Sequence, residues 1–390
     1  MSLTIGCFTD SYTPQINGIT TLLKLLKREF ERRGHRFVVL APRYDRTPPA
    51  SDEPDVVRFP AFRFPFDKQS RVTVPIRREA HRLVRELDVV HSHTEFSMGL
   101  LGMRAARGHD LPHLHTYHTL YAQYRHYFPR LVRPSERFVG SVSAAFINRC
   151  DAVTVATTPM VDELRRYDIR VPIHRVPFGM DLSMFQEPPR SYLRREFDIG
   201  TDERILLCAG RLAHEKNLSF IIDAFGQICR RRDDVRLLLV GDGPARADLE
   251  ARTIEHGLNG RVIFTGYRDW PQLVDDYKQA DLFVYGSQTE TQGIVFMEAQ
   301  AAGLPVVAVG AMGALEAIQP DETGVLLDPS DDADAFAAAV LCLLDDDERR
   351  HRLSCNARAW AEANGLDRTV DRLLDIYRAM LEAQAPISSP

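Results

Sequence analysis

Short apolar runs alternate with longer stretches in which apolar residues recur at helical spacing, and this rhythm continues along the whole chain. In the first half the runs are Leu3–Phe8, Phe37–Leu40, Asp88–His91, His113–Thr116, Ala152–Ala156 and Ile173–Val176. In the second half they are Ile205–Ala209, Arg236–Val240, Val262–Phe264, Leu282–Tyr285, Val306–Val309 and Gly324–Leu327. Ile19–Arg33 is periodic as a helix with Gly34 as its stop, and Leu218–Arg231 and Ala245–His256 read the same way. Continuous apolar runs separated by helices predict parallel strands covered on both faces, an α/β architecture.

The pattern describes two similar α/β halves, not one large sheet. The Pro-containing stretch Phe178–Arg190, with Glu187-Pro188-Pro189, is the predicted boundary, giving domains at 1–185 and 186–365. Residues 366–390 hold a last amphipathic helix, Leu366–Ala383, expected to return to the first domain, with Pro386–Pro390 frayed. Parallel sheets bind ligands at the carboxyl ends of their strands, so the cleft between two such domains is the expected site.

Composition adds exclusions. With 390 residues, 44% apolar and 26% charged, the chain suits a folded two-domain protein. Cys7, Cys150, Cys208, Cys229, Cys342 and Cys355 are scattered without a Cys-x-x-Cys pair, which suggests reduced thiols and neither zinc nor a disulfide framework. The N-terminal residues lack a signal-peptide pattern, and the apolar stretch Ala301–Ala314 is broken by Gly303, Pro305, Gly310 and Gly313, so no membrane span is expected. The net charge of −5 divides into +8 for residues 1–185 and −13 for the rest. A basic first half suits an anionic partner such as acidic lipid or a phosphorylated acceptor, although the asymmetry also serves solubility alone. No nucleic-acid-binding module is recognisable, and none is expected.

The most informative segment is Gly286-Ser-Gln-Thr-Glu290-Thr-Gln292-Gly293-Ile294-Val295-Phe-Met-Glu298. A strand ends at Tyr285, and a helix is predicted to begin near Gln292 or Gly293. Its first backbone N–H groups, at the positive end of the dipole, suit an anion. Gly293 permits close backbone approach. Glu298, four residues after Ile294, lies on the face of that first turn and can accept from a ribose diol, while Glu290 can reach sugar hydroxyls. Arg211 and Lys216 follow another strand end and can neutralise a pyrophosphate. Two cations and a helix N-terminus can stand in for a metal, and no Asp-x-Asp pair sits at a strand end. Gly241-Asp-Gly243-Pro-Ala-Arg246 carries Arg246 where a dinucleotide fingerprint has its third glycine, which argues against NAD; the turn is expected to frame the nucleotide side. Gly266, Tyr267 and Arg268 are expected at the base.

Glu290-x7-Glu298 resembles the motif of retaining glycosyltransferases of family 4, which have the GT-B fold. Further segments match in the family's order: Thr9-Asp10-Ser-Tyr-Thr-Pro14-Gln15-Ile-Asn17-Gly18-Ile-Thr20, His91-Ser-His93-Thr-Glu95-Phe-Ser-Met-Gly99 and His115-Thr-Tyr117-His118-Thr119. Then come Gly179-Met-Asp181, Gly210-Arg211-Leu-Ala-His-Glu-Lys216-Asn217 and Gly241-Asp-Gly243-Pro244. Within the family they most resemble diacylglycerol glucosyltransferases, then phosphatidylinositol mannosyltransferases.

The resemblance implies two Rossmann-like domains facing across a cleft, the first for the acceptor and the second for a nucleotide sugar. It implies transfer of a hexose, glucose foremost, from a UDP-sugar with retention, by front-face attack and without a metal cofactor. It places Gly18, after Asn17, against the donor phosphates and His118 beside the donor sugar. The His-x-His spacing of His91/His93 and His113/His115 also fits a metal, but the strands are expected to be buried and the resemblance supplies none. Tyr117, Tyr121, Tyr124 and Arg125, with Tyr127, Phe128 and neighbouring basic residues, are the expected acceptor or membrane surface, with an ordinary core-facing aromatic stripe as the alternative. Leu22, Leu25 and Leu26 with the nearby Lys and Arg residues form a second amphipathic candidate. The expected setting is the cytoplasm, peripherally on the inner face of an anionic plasma membrane, with a lipid such as diacylglycerol as acceptor. Rival readings are a GDP-mannose-dependent or other polysaccharide, lipopolysaccharide or phosphatidylinositol mannoside transferase, a nucleotide-sugar epimerase, and a non-enzymatic membrane-binding protein.

Overall fold

A computed structural model describes the chain except for residues 1, 16, 45–53, 65–66, 74–81, 119–133, 190–192 and 385–390. Residues Met1–Phe178 with Leu366–Pro390 form one compact unit, and Gly179–Gly365 forms the other. Among the described residues no helix is long and apolar enough to cross a membrane.

In the first unit the strands are β1 (Thr4–Phe8), β2 (Arg36–Pro42), β3 (Val56–Phe59), β4 (Ala61–Phe64), β5 (Asp67–Thr73), β6 (Val89–Ser92), β7 (His113–Thr116), β8 (Ala152–Val155) and β9 (Ile173–Arg175). Seven form a parallel sheet in the order β3-β2-β1-β6-β7-β8-β9, and β4–β5 is a separate antiparallel pair. The second unit has β10 (Arg204–Ala209), β11 (Val235–Val240), β12 (Val262–Gly266), β13 (Leu282–Tyr285), β14 (Val306–Val309) and β15 (Gly324–Leu327), ordered β12-β11-β10-β13-β14-β15. Each sheet grows outward from its first strand to one side and then returns to the other. That reversal is the Rossmann-type switch point, and it falls between β1 and β6 and between β10 and β13.

The continuous apolar runs explain the burial. Leu237, Leu238, Leu239, Phe283, Val306 and Val307 have no more than 1% of their surface exposed, as strands covered on both faces require. Aspartates just before three strands fasten the sheets at their other ends. Asp88 accepts from Thr4 N at 2.7 Å, Asp151 from His113 N at 2.7 Å and Asp281 from Ile205 N at 2.9 Å. Thr4 and His113 are the first residues of β1 and β7 and Ile205 is the second of β10, so each bond pairs a donor at the start of its strand.

The helix Gly18–Arg32 corrects one expectation. Its apolar face, Leu22, Leu23, Leu26 and Phe30, is buried in the core of the first unit and not presented to a membrane. Phe30 stacks on Phe37 at 5.3 Å and approaches Tyr377 at 6.0 Å, so the last helix, Leu366–Gln384, closes this core. Val370, Leu373, Leu374 and Tyr377 are buried there, each contributing about 1.5–3 kcal/mol of transfer free energy. Arg33 ties the two helices polarly through Asp371 and the Asp367 carbonyl. The strand β3 and the pair β4–β5 lie beyond the predicted runs. Val56-Val-Arg58-Phe59 is short and interrupted by a charge, yet Arg58 is buried and donates to Thr13 O at 2.8 Å and Thr13 Oγ1 at 2.6 Å. The segment Gly179–Phe185, expected with the first domain, belongs to the second unit.

Candidate functional site

In the second unit, the loops after β10 and β13 leave the sheet where its order reverses, and Arg211, Lys216, Glu290, Gln292 and Gly293 sit on them. Leaving β10, the chain turns at Gly210 and makes one 3₁₀ turn, His214–Lys216. It then passes through left-handed Asn217, whose Nδ2 donates to Gly286 O at 3.2 Å and so fastens the first loop to the second. Lys216 Nζ pairs with Glu290 Oε1, both side chains being mostly buried at 18% and 14% exposure. Tyr285 OH also donates to Glu290 Oε1 at 2.9 Å, and the Glu290 carbonyl accepts from Gly313 N at 2.8 Å. The Glu290 carboxylate is therefore held by a cation, a phenol and its own backbone before any ligand arrives.

The following helix is Ile294–Ala301, whose N-cap residue, Gly293, has no side chain to cap its start. Gly293 has φ +71°, and a Cβ there would lie 2.5 Å from the Phe296 ring. Left-handed backbone costs a residue other than glycine about 1–2 kcal/mol, before the ring is displaced. Gly293→Ala is therefore expected to lower the melting temperature of the second unit by roughly 2–8 °C, read by calorimetry. It should also abolish donor binding in a titration. A melting temperature within 1 °C of the parent would refute the strain argument.

Glu298, 8% exposed, accepts from Tyr277 OH at 2.7 Å through Oε2. Burial raises its carboxyl to about 7, against the lowering effect of the Tyr277 hydrogen bond. Ile294 and Val295 form the first turn, next to Gln292. The guanidinium of Arg211 lies on Glu215 rather than with Lys216. Gly241 packs its backbone against Gly210, where a Cβ would overlap the Gly210 carbonyl oxygen, so the glycine turn is a packing requirement of β10 against β11. Gly266 is left-handed and Tyr267 is exposed. Arg268 turns inward: its fork grips Glu196 at 2.9 and 3.0 Å, its Nε lies 3.2 Å from Asp276, and it stacks over Phe197. It joins the end of β12 to the helix Leu193–Glu196.

The first unit carries its own polar constellation at the ends of β1, β6 and β7. Asp10, just after β1, accepts from Thr94 Oγ1 at 2.6 Å, from Ser97 Oγ and from Met98 N at 3.1 Å. It thus caps the helix Ser97–Gly108, whose own N-cap residue, Phe96, supplies no side-chain bond. Asn17 caps the helix Gly18–Arg32 by accepting from Thr20 N at 2.9 Å, and its amide donates to Ser11 Oγ at 2.8 Å; Gly18 is the first helical residue.

His118 Nε2 lies 3.0 Å from His93 Nδ1, with the rings stacked at 5.2 Å. Burial pushes His118 down to about 3, so it is neutral at physiological pH. His91 is bonded to Tyr377 OH and Thr116 Oγ1, both at 2.6 Å, and Ser92 Oγ bridges His113 and His115 at 2.8 Å each. Among the described residues no group of three His, Cys, Asp or Glu has a metal-holding arrangement. Glu95 accepts from Ser143 Oγ at 3.1 Å. Tyr117 is 1% exposed, which removes it from any surface meeting a membrane. Tyr121, Tyr124 and Arg125 lie outside the described residues. Sequence reasoning gave no role to Tyr277 or Tyr285, quoted Asp10 only within a motif and weighed His93 only as a metal ligand; strand order and helix packing, not spacing, set the partners of Tyr277, Asp10 and His93.

Comparison with known proteins agrees with this layout. The model "Glycosyltransferase Family 4" matches residues 16–184, and "Glycosyl transferases group 1" matches residues 190–360. An alpha-monoglucosyldiacylglycerol synthase of Streptococcus pneumoniae is 34% identical over 78% of this chain and 71% of its own length. A GDP-mannose-dependent alpha-mannosyltransferase of Corynebacterium glutamicum is 29% identical over 91% of this chain and 83% of its own. The crystal structure of Anabaena HepE in complex with UDP is similar in fold, with a TM-score of 0.78 at 20% identity over 97% of this chain and 100% of that one.

Proposed function

This chain belongs to the family 4, group 1 glycosyltransferases, and from that premise we propose that it moves a hexose, glucose foremost, from a UDP-sugar to a membrane lipid such as diacylglycerol, forming an α-glycoside. The observation that carries the donor half of this reading is the Lys216–Glu290 pair beside the uncapped start of the helix Ile294–Ala301. Lys216, Arg211 and the N–H groups of that helix start take the diphosphate and its growing charge in place of a metal. When phosphate engages Lys216, Glu290 turns to the hydroxyls of the sugar, still steadied by Tyr285. Glu298, steadied by Tyr277, takes the ribose. His118, neutral, lies against the sugar, and the leaving oxygen accepts the proton of the acceptor hydroxyl as that hydroxyl attacks from the same face. The two carboxylates serve as recognition groups; neither is a nucleophile.

The acceptor half rests on the relative that makes a glucosyldiacylglycerol and on the net +8 of residues 1–185, which suits an anionic surface on the inner face of the plasma membrane. The GDP-mannose-dependent relative, matched over 91% of this chain, favours a second reading with mannose as the sugar. Incubation with UDP-glucose, UDP-galactose, UDP-glucuronate and GDP-mannose, with and without diacylglycerol vesicles, decides between them by product mass. A glycolipid formed with UDP-glucose is expected. Free nucleotide released only when acceptor is present excludes epimerisation, and no product with any lipid overturns the acceptor assignment.

The raised Glu298 carboxyl gives a pH test. Only the ionised form accepts from both ribose hydroxyls, so donor affinity should rise with pH. With titration near 7, the KM for donor should fall about five- to tenfold between pH 6 and 8. For the free protein the sign is opposite: ionising a carboxyl whose value is raised by burial removes stability as pH climbs from the ordinary carboxylate range to about 7. Glu298→Gln should flatten the KM profile. A slope that survives in that variant assigns the titration elsewhere.

A further inference from the structure

The buried histidines at the ends of β6 and β7 include one whose hydrogen bonding bears directly on the sugar site. We propose that His93 is a positioning residue that donates from Nδ1 to Nε2 of His118, so that His118 carries its own proton on Nδ1 and offers the donor sugar a hydrogen-bond donor and not a base. This inference rests on the placement of His118 beside the sugar in the reading above.

The geometry allows two arrangements across the 3.0 Å His93 Nδ1 to His118 Nε2 contact. In one, His118 Nε2–H donates, and His93 then keeps its proton on Nε2. That nitrogen is buried with no hydrogen-bond partner. An N–H stranded there loses its water and gains no acceptor, a situation that folded proteins avoid more strictly than an idle acceptor lone pair. In the other arrangement His93 donates from Nδ1, its Nε2 is an idle lone pair, and the cost is smaller. The second arrangement fixes the tautomer of both rings. Protonating either ring to escape the choice is unfavourable, because burial lowers both well below the ordinary histidine value and the neighbouring histidines add to this at His93.

The surroundings hold His93 in place for this task. Its ring lies 4.1 Å from that of His91, which is itself anchored on both nitrogens, by Tyr377 OH and Thr116 Oγ1. Phe178 packs on the other ring of the pair, His118, at 5.5 Å. The stack His91–His93–His118 therefore transmits a fixed orientation from the last helix to the histidine at the sugar, with no metal required among the His-x-His pairs. A donor at His118 Nδ1 can hold a sugar hydroxyl. It cannot remove the acceptor's proton, which leaves that task to the departing phosphate oxygen.

The test combines a spectroscopic readout with kinetics on the full chain. Long-range proton–nitrogen correlation of the ¹⁵N-histidine-labelled protein, with His118 assigned by its absence from His118→Gln, should show Nδ1 protonated and Nε2 bare. Protonation on Nε2 overturns the proposal. His93→Leu keeps bulk without a donor. It should lower kcat with UDP-glucose and diacylglycerol vesicles roughly 10- to 100-fold, with the KM for UDP-glucose within about twofold. His93→Asn, whose amide can donate from nearly the same position, should recover most of that loss. Equal losses in both variants would mean that His93 acts only through packing. His118→Ala separates this inference from the reading beneath it: unchanged kcat there removes His118 from the reaction altogether. Loss in His118→Ala with full activity in His93→Leu defeats the positioning role alone.

Discussion

Lys216→Ala should lower kcat about 10²- to 10³-fold while raising the KM for donor much less, because the ammonium meets charge that grows only as the glycosidic bond breaks. The structure explains the size of the expected loss. Lys216 stands on a single 3₁₀ turn that is locked at Asn217 to the backbone of the opposing loop, so its position is fixed before the donor arrives. Its side chain is 18% exposed, which weakens screening by water and makes the charge effective at short range. Lys216→Arg should rescue little, since a planar fork cannot occupy the space of a compact ammonium between Glu290 and the phosphate.

A structural explanation for the same loss can be separated from the chemical one. Truncating Lys216 leaves Glu290 buried with only Tyr285 on its carboxylate, which destabilises the loop. The double variant Lys216→Ala, Glu290→Gln removes that stranded charge. If the stranded carboxylate is the cause, the double variant regains the melting temperature that the single variant loses, and the kcat of Lys216→Ala recovers at temperatures where it is fully folded. If the missing cation at the leaving group is the cause, Lys216→Ala stays slow even where it is fully folded. Turnover measured under single-turnover conditions, with thermal unfolding of each variant as control, decides. A kcat within threefold of the parent in Lys216→Ala would falsify the assignment of the donor site.

How much of this was legible in the residues depended on whether the information was local. All twelve predicted runs overlap strands; most are apolar because they are buried on both faces, whereas β7 buries His113, His115 and Thr116 and β9 is only partly buried. Val56–Phe59 was missed because its buried charge, Arg58, is satisfied by Thr13, which lies 45 residues away. The pair β4–β5 is short and antiparallel and lies outside the main sheets, so no neighbouring helix signals it. In the site, the acids and cations could be named from their motifs, but not the tyrosines that hold them. Tyr285 follows from its place at the end of β13, one element before Glu290, whereas Tyr277 and Glu298 meet only because the helices Trp270–Gln279 and Ile294–Ala301 pack together. The inward turn of Arg268 is of the same kind: its carboxylates come from the helix Leu193–Glu196 and from the helix Trp270–Gln279 that follows it, and spacing does not reveal a buried ion pair.

Asp10→Ala should produce the largest stability change, lowering the first unit by about 3 kcal/mol, or roughly 6–12 °C in melting temperature. The sequence presents Asp10 as one polar residue in a loop. In the fold it stands at the switch point between β1 and β6 and is bonded from both sides. Its own N–H donates to Thr94 Oγ1 at 3.2 Å, and the same hydroxyl donates back to Oδ2 at 2.6 Å. Ser97 Oγ and Met98 N complete the set, so the carboxylate caps a helix that has no cap of its own. Removing it leaves two hydroxyls and an amide without their acceptor and uncouples the loop Thr9–Asn17 from the helix Ser97–Gly108. Asp10→Asn keeps one acceptor but turns an N–H toward donors, so it should recover less than half the loss. The loop also carries Asn17 and Gly18, which gives the variant a second readout. In protein that is still folded at 20 °C, transfer should fall further than donor binding, because the second unit with its Lys216–Glu290 pair is untouched. Donor affinity measured by titration and transfer measured by product mass would then part company. Equal losses in the two would show that Asp10 acts only through global stability.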